Sequence, residues 1–217
     1  MGVISGLLDL LYPPRCVFCR KLLKKGEGSV CVKCRDELPY TVNGGEQTGD
    51  FFSVCVAPLY YEGTVRESIL RYKFSGASGY AQTYGALVAE RVRDNLQGRY
   101  DLISWVPLSR KRYKERGYDQ AMLLALSTAQ ELDGGAVSTL KKHRDVARQS
   151  SMGSAEKRRA NISGVYRAAD PGLVEGKRVR LIDDIVTTGS TLSECARILL
   201  QSGAKEVVCA AIARSRD

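Results

Sequence analysis

The chain has 217 residues, 44% hydrophobic and 26% charged, a balance that excludes a disordered or fibrous protein and suits a soluble globular one. Its length allows one substantial domain and a small accessory module, and no apolar run approaches the length of a transmembrane helix. The formal net charge is +9, from 33 basic and 24 acidic residues, a balance suited to polyphosphate or nucleic-acid partners but equally to solvated basic loops. The opening residues Met1-Gly2-Val3-Ile4-Ser5-Gly6 lack the basic region of a signal peptide and, with Gly6, miss the myristoylation pattern. A cytoplasmic protein is therefore expected.

Residues 4–12 form a short apolar segment before Pro13-Pro14, and then come two cysteine pairs, Cys16/Cys19 and Cys31/Cys34. Each pair, with its two-residue spacer, can offer two sulfurs to one tetrahedral ion, so the four predict a structural Zn²⁺ site. Iron would use the same thiolates. A disulfide framework fits poorly with seven cysteines, an odd number, and no secretory signal. A site closed by four thiolates has no open position for chemistry, which argues against a redox or metal-transfer protein. Its expected use is to stabilise a small lobe, residues 1–45, that cannot bury enough core by itself. With zinc bound, the net charge falls to about +7. Cys55, Cys195 and Cys209 sit in apolar patterns and read as small buried hydrophobes.

Residues 41–50, with Gly44, Gly45 and Gly49, read as a linker into a second domain over 46–217. Residues 51–60 suggest its first strand. Helical spacing covers 63–74 and 80–96, the latter with Tyr84, Leu87, Val88, Arg91 and Val92 on one stripe. Residues 102–108 suggest a buried strand, followed by a basic loop containing Ser109, Arg110, Lys111, Arg112, Lys114 and Arg116, and then a helix over 121–132. Residues 141–162 are basic and poor in apolar side chains, with Lys141 and Lys142 at their start. Alternating strands and helices predict an α/β fold with a mainly parallel sheet covered on both faces. Arg112, Lys114, Arg116, Lys141 and Lys142 are the candidate nucleic-acid contacts.

The rest of the chain is arranged around residues 179–191. Val179-Arg180-Leu181-Ile182 reads as a buried strand, Asp183-Asp184 as its acidic end, and Ile185-Val186-Thr187-Thr188-Gly189-Ser190-Thr191 as the turn into a helix. In open α/β sheets, ligands bind beyond the carboxyl ends of strands. The hydroxyls, the glycine and the amides opening the next helix make a cup for phosphate. The paired carboxylates would repel such an anion, unless they hold something else. A phosphosugar resolves the conflict, with phosphate in the cup, ribose hydroxyls on Asp183 and Asp184, and Mg²⁺ offsetting charge. A plain capped turn, with Ser190 or Thr191 as N-cap, would use one hydroxyl and leave the acids idle. The single histidine, His143, gives no Ser–His pair, and no P-loop pattern is present.

Asp183-Asp184-Ile185-Val186-Thr187-Thr188-Gly189-Ser190-Thr191 resembles the phosphoribosyl-pyrophosphate loop of type I phosphoribosyltransferases. The resemblance implies ribose hydroxyls on the acids, the 5′-phosphate on the loop that follows, and pyrophosphate at Ser109-Arg110. If catalysis occurs, Asp183 and Asp184 are the implied catalytic residues. Val106-Pro107-Leu108, Arg112 and Arg116-Gly117-Tyr118-Asp119-Gln120-Ala121 further resemble the ComF competence proteins, as do the four cysteines, Tyr72-Lys73-Phe74-Ser75-Gly76 and Ile212-Ala213-Arg214. Tyr118 and Asp119 depart from the family's Phe and Asn, and Asp119 brings a negative charge beside the implied pyrophosphate loop. This likeness implies a flexible closing loop containing Arg148, Gln149, Arg158 and Asn161. It also implies single-stranded DNA and a competence helicase-like protein as partners. A working phosphoribosyltransferase with an unidentified acceptor is the other reading.

Overall fold

The computed structural model describes residues 13–143 and 164–216. The expectations for residues 4–12, for Arg148, Gln149, Arg158 and Asn161, and for most of 141–162 fall outside these residues.

The central sheet is parallel throughout. Helix α1 (Val32–Glu37) belongs to the cysteine lobe, and the sheet begins with two short strands, β1 (Cys55–Val56) and β2 (Leu59–Tyr60). The expected strand over 51–60 is split because Pro58 has no N–H to give a ladder. Both pieces pair with β7 (Glu206–Arg214), which in turn pairs with β6 (Arg178–Val186), and β6 with β3 (Leu102–Trp105). Strand β7 is buried from Val207 to Ala213, the unbroken apolar run of a strand covered on both faces.

Helices α2 (Gly63–Phe74), α3 (Tyr80–Leu96) and α5 (Gln120–Glu131) pack into one core, and α6 (Ser190–Gln201) into a second that includes Val179, Leu181, Leu192, Cys195 and Cys209. Helices α3 and α5 approach closely at Gly85, where a Cβ would lie 2.5 Å from Ser127 Cβ. Only glycine permits that contact. Cys16, Phe18, Cys31 and Cys34 join the first core, so the cysteine lobe shares its interior with the large domain.

Other expectations change as well. The strand expected over 102–108 ends at Trp105, before Pro107. The basic loop after it contains a short helix, α4 (Arg110–Arg116), because Ser109 caps it and Gly117 closes it at φ 81°. The start of the basic stretch at 141 belongs to β4 (Leu140–Lys142), which pairs antiparallel with β5 (Tyr166–Ala168). That hairpin escaped the sequence reading because its partners lie far apart in the chain and each is only three residues long. Residues 41–50 are anchored at their start, where Thr41 is buried and donates to the carbonyl of Ala57 at 2.6 Å, while most of the stretch is exposed. Among the described residues, no helix is long and apolar enough to cross a membrane.

Candidate functional site

Asp183 and Asp184 lie near the carboxyl end of β6, beside the end of β3, since Trp105 is in register with Ile182. Successive strand residues point to opposite faces, yet at this strand end both acids border one cavity. Asp183 Oδ1 accepts the backbone N–H of Asp184 at 2.8 Å. Asp184 Oδ1 meets the ammonium of Lys73, from the last turn of α2, at 2.8 Å. These two side chains are only 14% and 17% exposed. Burial pushes the Asp183 carboxyl up to about 8; the charge of Asp184 adds to that rise and Lys73 offsets part of it.

A cavity of about 320 Å³ opens over the acids. Its wall includes Lys73, Arg112, Arg116, Lys142, Thr187 and Thr191, with Asp183, Asp184 and Ile185. Basic and acidic groups therefore converge from four elements on one space. Arg116 donates to Gln120 Oε1 at 2.6 Å and stacks on Phe74, 4.7 Å from the ring centre. Lys142 lies 5.2 Å from the centre of the Tyr166 ring.

The turn 187–191 divides. Thr188 and Ser190, their hydroxyls 2.8 Å apart, line a second cavity with Ser193 and Glu194. Thr187 also accepts the Gln47 side-chain amide at its carbonyl, at 3.1 Å. Gly189 has φ 70°, and a Cβ there would lie 3.2 Å from the Phe52 ring. No side chain caps α6, so its first amides remain as donors at the turn. Val186 is buried in the apolar core and serves packing.

Of the remaining expected residues, Asp119 borders the cavity and the others do not. Ser109 is buried, and its hydroxyl accepts the N–H of Arg112 at 3.3 Å, so it caps α4. Arg110, Lys114 and Lys141 are exposed and do not line the cavity. Asp119 is a structural cap: its carboxylate accepts the N–H of Leu108 at 2.8 Å and that of Met122 at 3.1 Å. Burial raises its pKa, and those amides hold it back. The residue that most needed finding was Lys73. Val65, Ile69 and Tyr72 mark the buried face of α2, and a basic residue beside that stripe, in the last turn, was the available signal.

The four cysteines form the second centre. Cys16, Cys19, Cys31 and Cys34 place their sulfurs within 4.8 Å of one another. Zinc–thiolate bonds of about 2.3 Å require sulfurs roughly 3.8 Å apart, so this set fits a tetrahedral structural zinc. The acid pair fits a metal poorly. One Asp184 oxygen is held by an ammonium and one Asp183 oxygen by an amide.

Comparison with known proteins agrees with this division. Residues 7–51 match a double zinc ribbon domain, and residues 119–217 a phosphoribosyl transferase domain. Competence protein F of Haemophilus influenzae is 27% identical, over 93% of this chain and 97% of its own. Competence protein ComFC of Bacillus subtilis is 26% identical, over 90% of this chain and 82% of its own. DNA utilization protein YhgH of Escherichia coli K12 is 37% identical, over 49% of this chain and 46% of its own. Among solved structures, the B. subtilis glutamine phosphoribosylpyrophosphate amidotransferase matches 61% of this chain, at 24% identity and a TM-score of 0.42. That match spans 26% of the amidotransferase chain. With a zinc-ribbon match leading into a phosphoribosyl transferase domain match, the chain is similar along most of its length to the competence proteins F and ComFC.

Proposed function

We infer that this protein is a cytoplasmic competence factor that handles incoming single-stranded DNA during natural transformation, and that its cavity binds phosphoribosyl pyrophosphate. The observation that carries the ligand assignment is the convergence of Asp183 and Asp184 with Arg112, Arg116, Lys142 and the uncapped start of α6. The acids accept the ribose hydroxyls. The 187–191 turn and its amides take the 5′-phosphate, and Arg112 and Arg116 face the pyrophosphate. Mg²⁺ enters on the ligand's own oxygens. The competence role is supported by relatives named for competence and DNA utilization. In this reading residues 1–45 are the zinc module and 46–217 the ligand-binding domain. The exposed Lys114 and Lys141 extend the basic rim outside the cavity toward the DNA backbone, and a helicase-like competence protein is the expected partner.

The same geometry supports a second reading, phosphoribosyl transfer. The bond from ribose C1 to pyrophosphate breaks with its electron pair leaving on pyrophosphate, and a nucleophile forms the new bond at C1. Arg112, Arg116 and Lys142 face the departing charge, while the carboxylates face the cationic sugar. Placement and electrostatics would supply the rate, without a covalent enzyme intermediate.

Calorimetric titration of phosphoribosyl pyrophosphate with Mg²⁺ tests the ligand. Wild type should bind, and an Asp183→Asn, Asp184→Asn double variant should lose at least about tenfold in affinity, about 1.4 kcal/mol. Equal binding by both would refute the assignment. Release of pyrophosphate with a defined acceptor, abolished by Asp183→Asn, would favour the transferase.

A further inference from the structure

A cavity that receives a polyanion over two carboxylates must supply positive charge close to them. A divalent ion coordinated by the acids is one means, and it needs free carboxylate oxygens. Here one oxygen of each carboxylate is already engaged, Asp184 Oδ1 by Lys73 at 2.8 Å and Asp183 Oδ1 by the Asp184 amide at 2.8 Å. The cation that stands directly against the acids is the Lys73 ammonium.

Its position is built into the fold. Lys73 stands at the end of α2, and α2 is fixed from two sides. On the cysteine-lobe side, Ser68 donates to the Val17 carbonyl at 2.6 Å, and Arg71 donates to the carbonyls of Val17 and Phe18 at 3.1 and 2.5 Å. On the cavity side, Tyr72 donates to the Gln120 carbonyl at 2.8 Å, and Tyr118 donates back to the Tyr72 carbonyl. Lys73 is thus held over the acids from residues bracketing it in sequence, with most of its side chain out of water. An ammonium carries three donors. One serves Asp184, and the side chain still lines the cavity with Arg112, Arg116 and Lys142.

We propose that Lys73 is the resident cation of this site: it neutralises Asp184 and donates to the bound ligand, so that the cavity takes a phosphorylated, pyrophosphate-bearing ribose without a divalent metal. This rests on the phosphoribosyl-pyrophosphate reading above and adds how charge is balanced there. Magnesium, when present, rides on the pyrophosphate and is dispensable for binding.

The test is calorimetry with the sodium salt of phosphoribosyl pyrophosphate and the zinc-loaded full chain. Buffers are stripped of divalent ions on a chelating resin, since a soluble chelator would also attack the zinc, and then used with or without added Mg²⁺. Wild type should bind in both, with dissociation constants within about threefold. Lys73→Met should bind at least about tenfold more weakly in metal-free buffer and recover part of the loss with Mg²⁺. Lys73→Arg should retain metal-free binding. If wild type binds only with Mg²⁺, the resident-cation proposal fails while the phosphoribosyl-pyrophosphate reading stands. No binding in either buffer overturns both. Metal-free binding of Lys73→Met equal to wild type also overturns the proposal, and if that variant does not fold, the wild-type pair of titrations decides.

Discussion

At the scale of single residues, two ionisable groups on β6, Asp183 partly and Arg180 fully buried, carry opposite lessons. Asp183 titrates high because it is buried beside Asp184, with its pKa moved from 3.8 to about 8. Between those values the folded chain holds a proton that the unfolded chain has lost, so stability falls as pH rises through that window. Asp183→Asn should therefore raise Tm at pH 9 by roughly 3 °C or more and change it by only about 1 °C at pH 5, measured by differential scanning calorimetry. An equal gain at both values would contradict this origin. Arg180 is fully buried in the middle of the same strand, stacked over Tyr100, and its three guanidinium nitrogens find no hydrogen-bond partner among the described residues. Burial pulls its pKa down to about 9. An unpaired buried charge costs more than an apolar side chain of similar size. Arg180→Met should raise Tm by about 3 °C or more, and a fall would show that the guanidinium contributes net stability.

At the scale of elements, α2 links the two centres. Its Ser68 and Arg71 bind the carbonyls of the Cys16–Cys19 knuckle, and two residues further on Lys73 meets Asp184. An aromatic path runs beside it, with Phe18 against Tyr84, Tyr84 against Tyr72, and Tyr72 against Tyr118. Loss of zinc, through Cys34→Ser or a chelator, should therefore speed amide hydrogen exchange in Gly63–Phe74 and leave β6 and β7 protected. Faster exchange confined to residues 13–40 would show that the lobe does not set the position of α2. Much of this level was legible in the sequence. Regular spacing gave Gly63–Phe74 and Tyr80–Leu96 at their observed bounds, because both helices are long and have one buried face. The paired acids marked the last part of β6 for a similar local reason, a change from apolar to charged along one strand, although the strand runs on through Ile185 and Val186, expected in the turn. What was hidden depends on distance. The pairing of Lys73 with Asp184 joins residues far apart in the chain, and the β4–β5 hairpin joins strands too short to carry a pattern. Asp119 serves two ends: it satisfies two backbone amides as a cap and also borders the cavity, where its position beside a basic stretch had suggested a charge.

At the scale of the whole molecule, the net charge of +9 has two destinations. Arg112, Arg116, Lys142 and Lys73 are turned into a cavity sized for a small ligand, while Lys114 and Lys141 remain exposed. Binding of a fluorescent single-stranded oligonucleotide should weaken steeply with salt, roughly 0.7 logarithmic units in affinity per logarithmic unit of salt for each phosphate contacted. Lys114→Glu with Lys141→Glu should reduce both the affinity and that slope. A flat salt response would contradict a basic surface that tracks nucleic acid. The zinc lobe contributes buried side chains to the same core as α2, α3 and α5, so the molecule presents the cavity and the basic surface on one continuous framework. The central claim is that this framework holds a phosphosugar across the end of β6, and a crystal structure of the zinc-loaded protein grown with phosphoribosyl pyrophosphate tests it most directly. The expected result is ribose on Asp183 and Asp184, the 5′-phosphate at residues 187–191 and pyrophosphate toward Arg112 and Arg116. Density for the ligand elsewhere, or an empty cavity at saturating ligand, would contradict it.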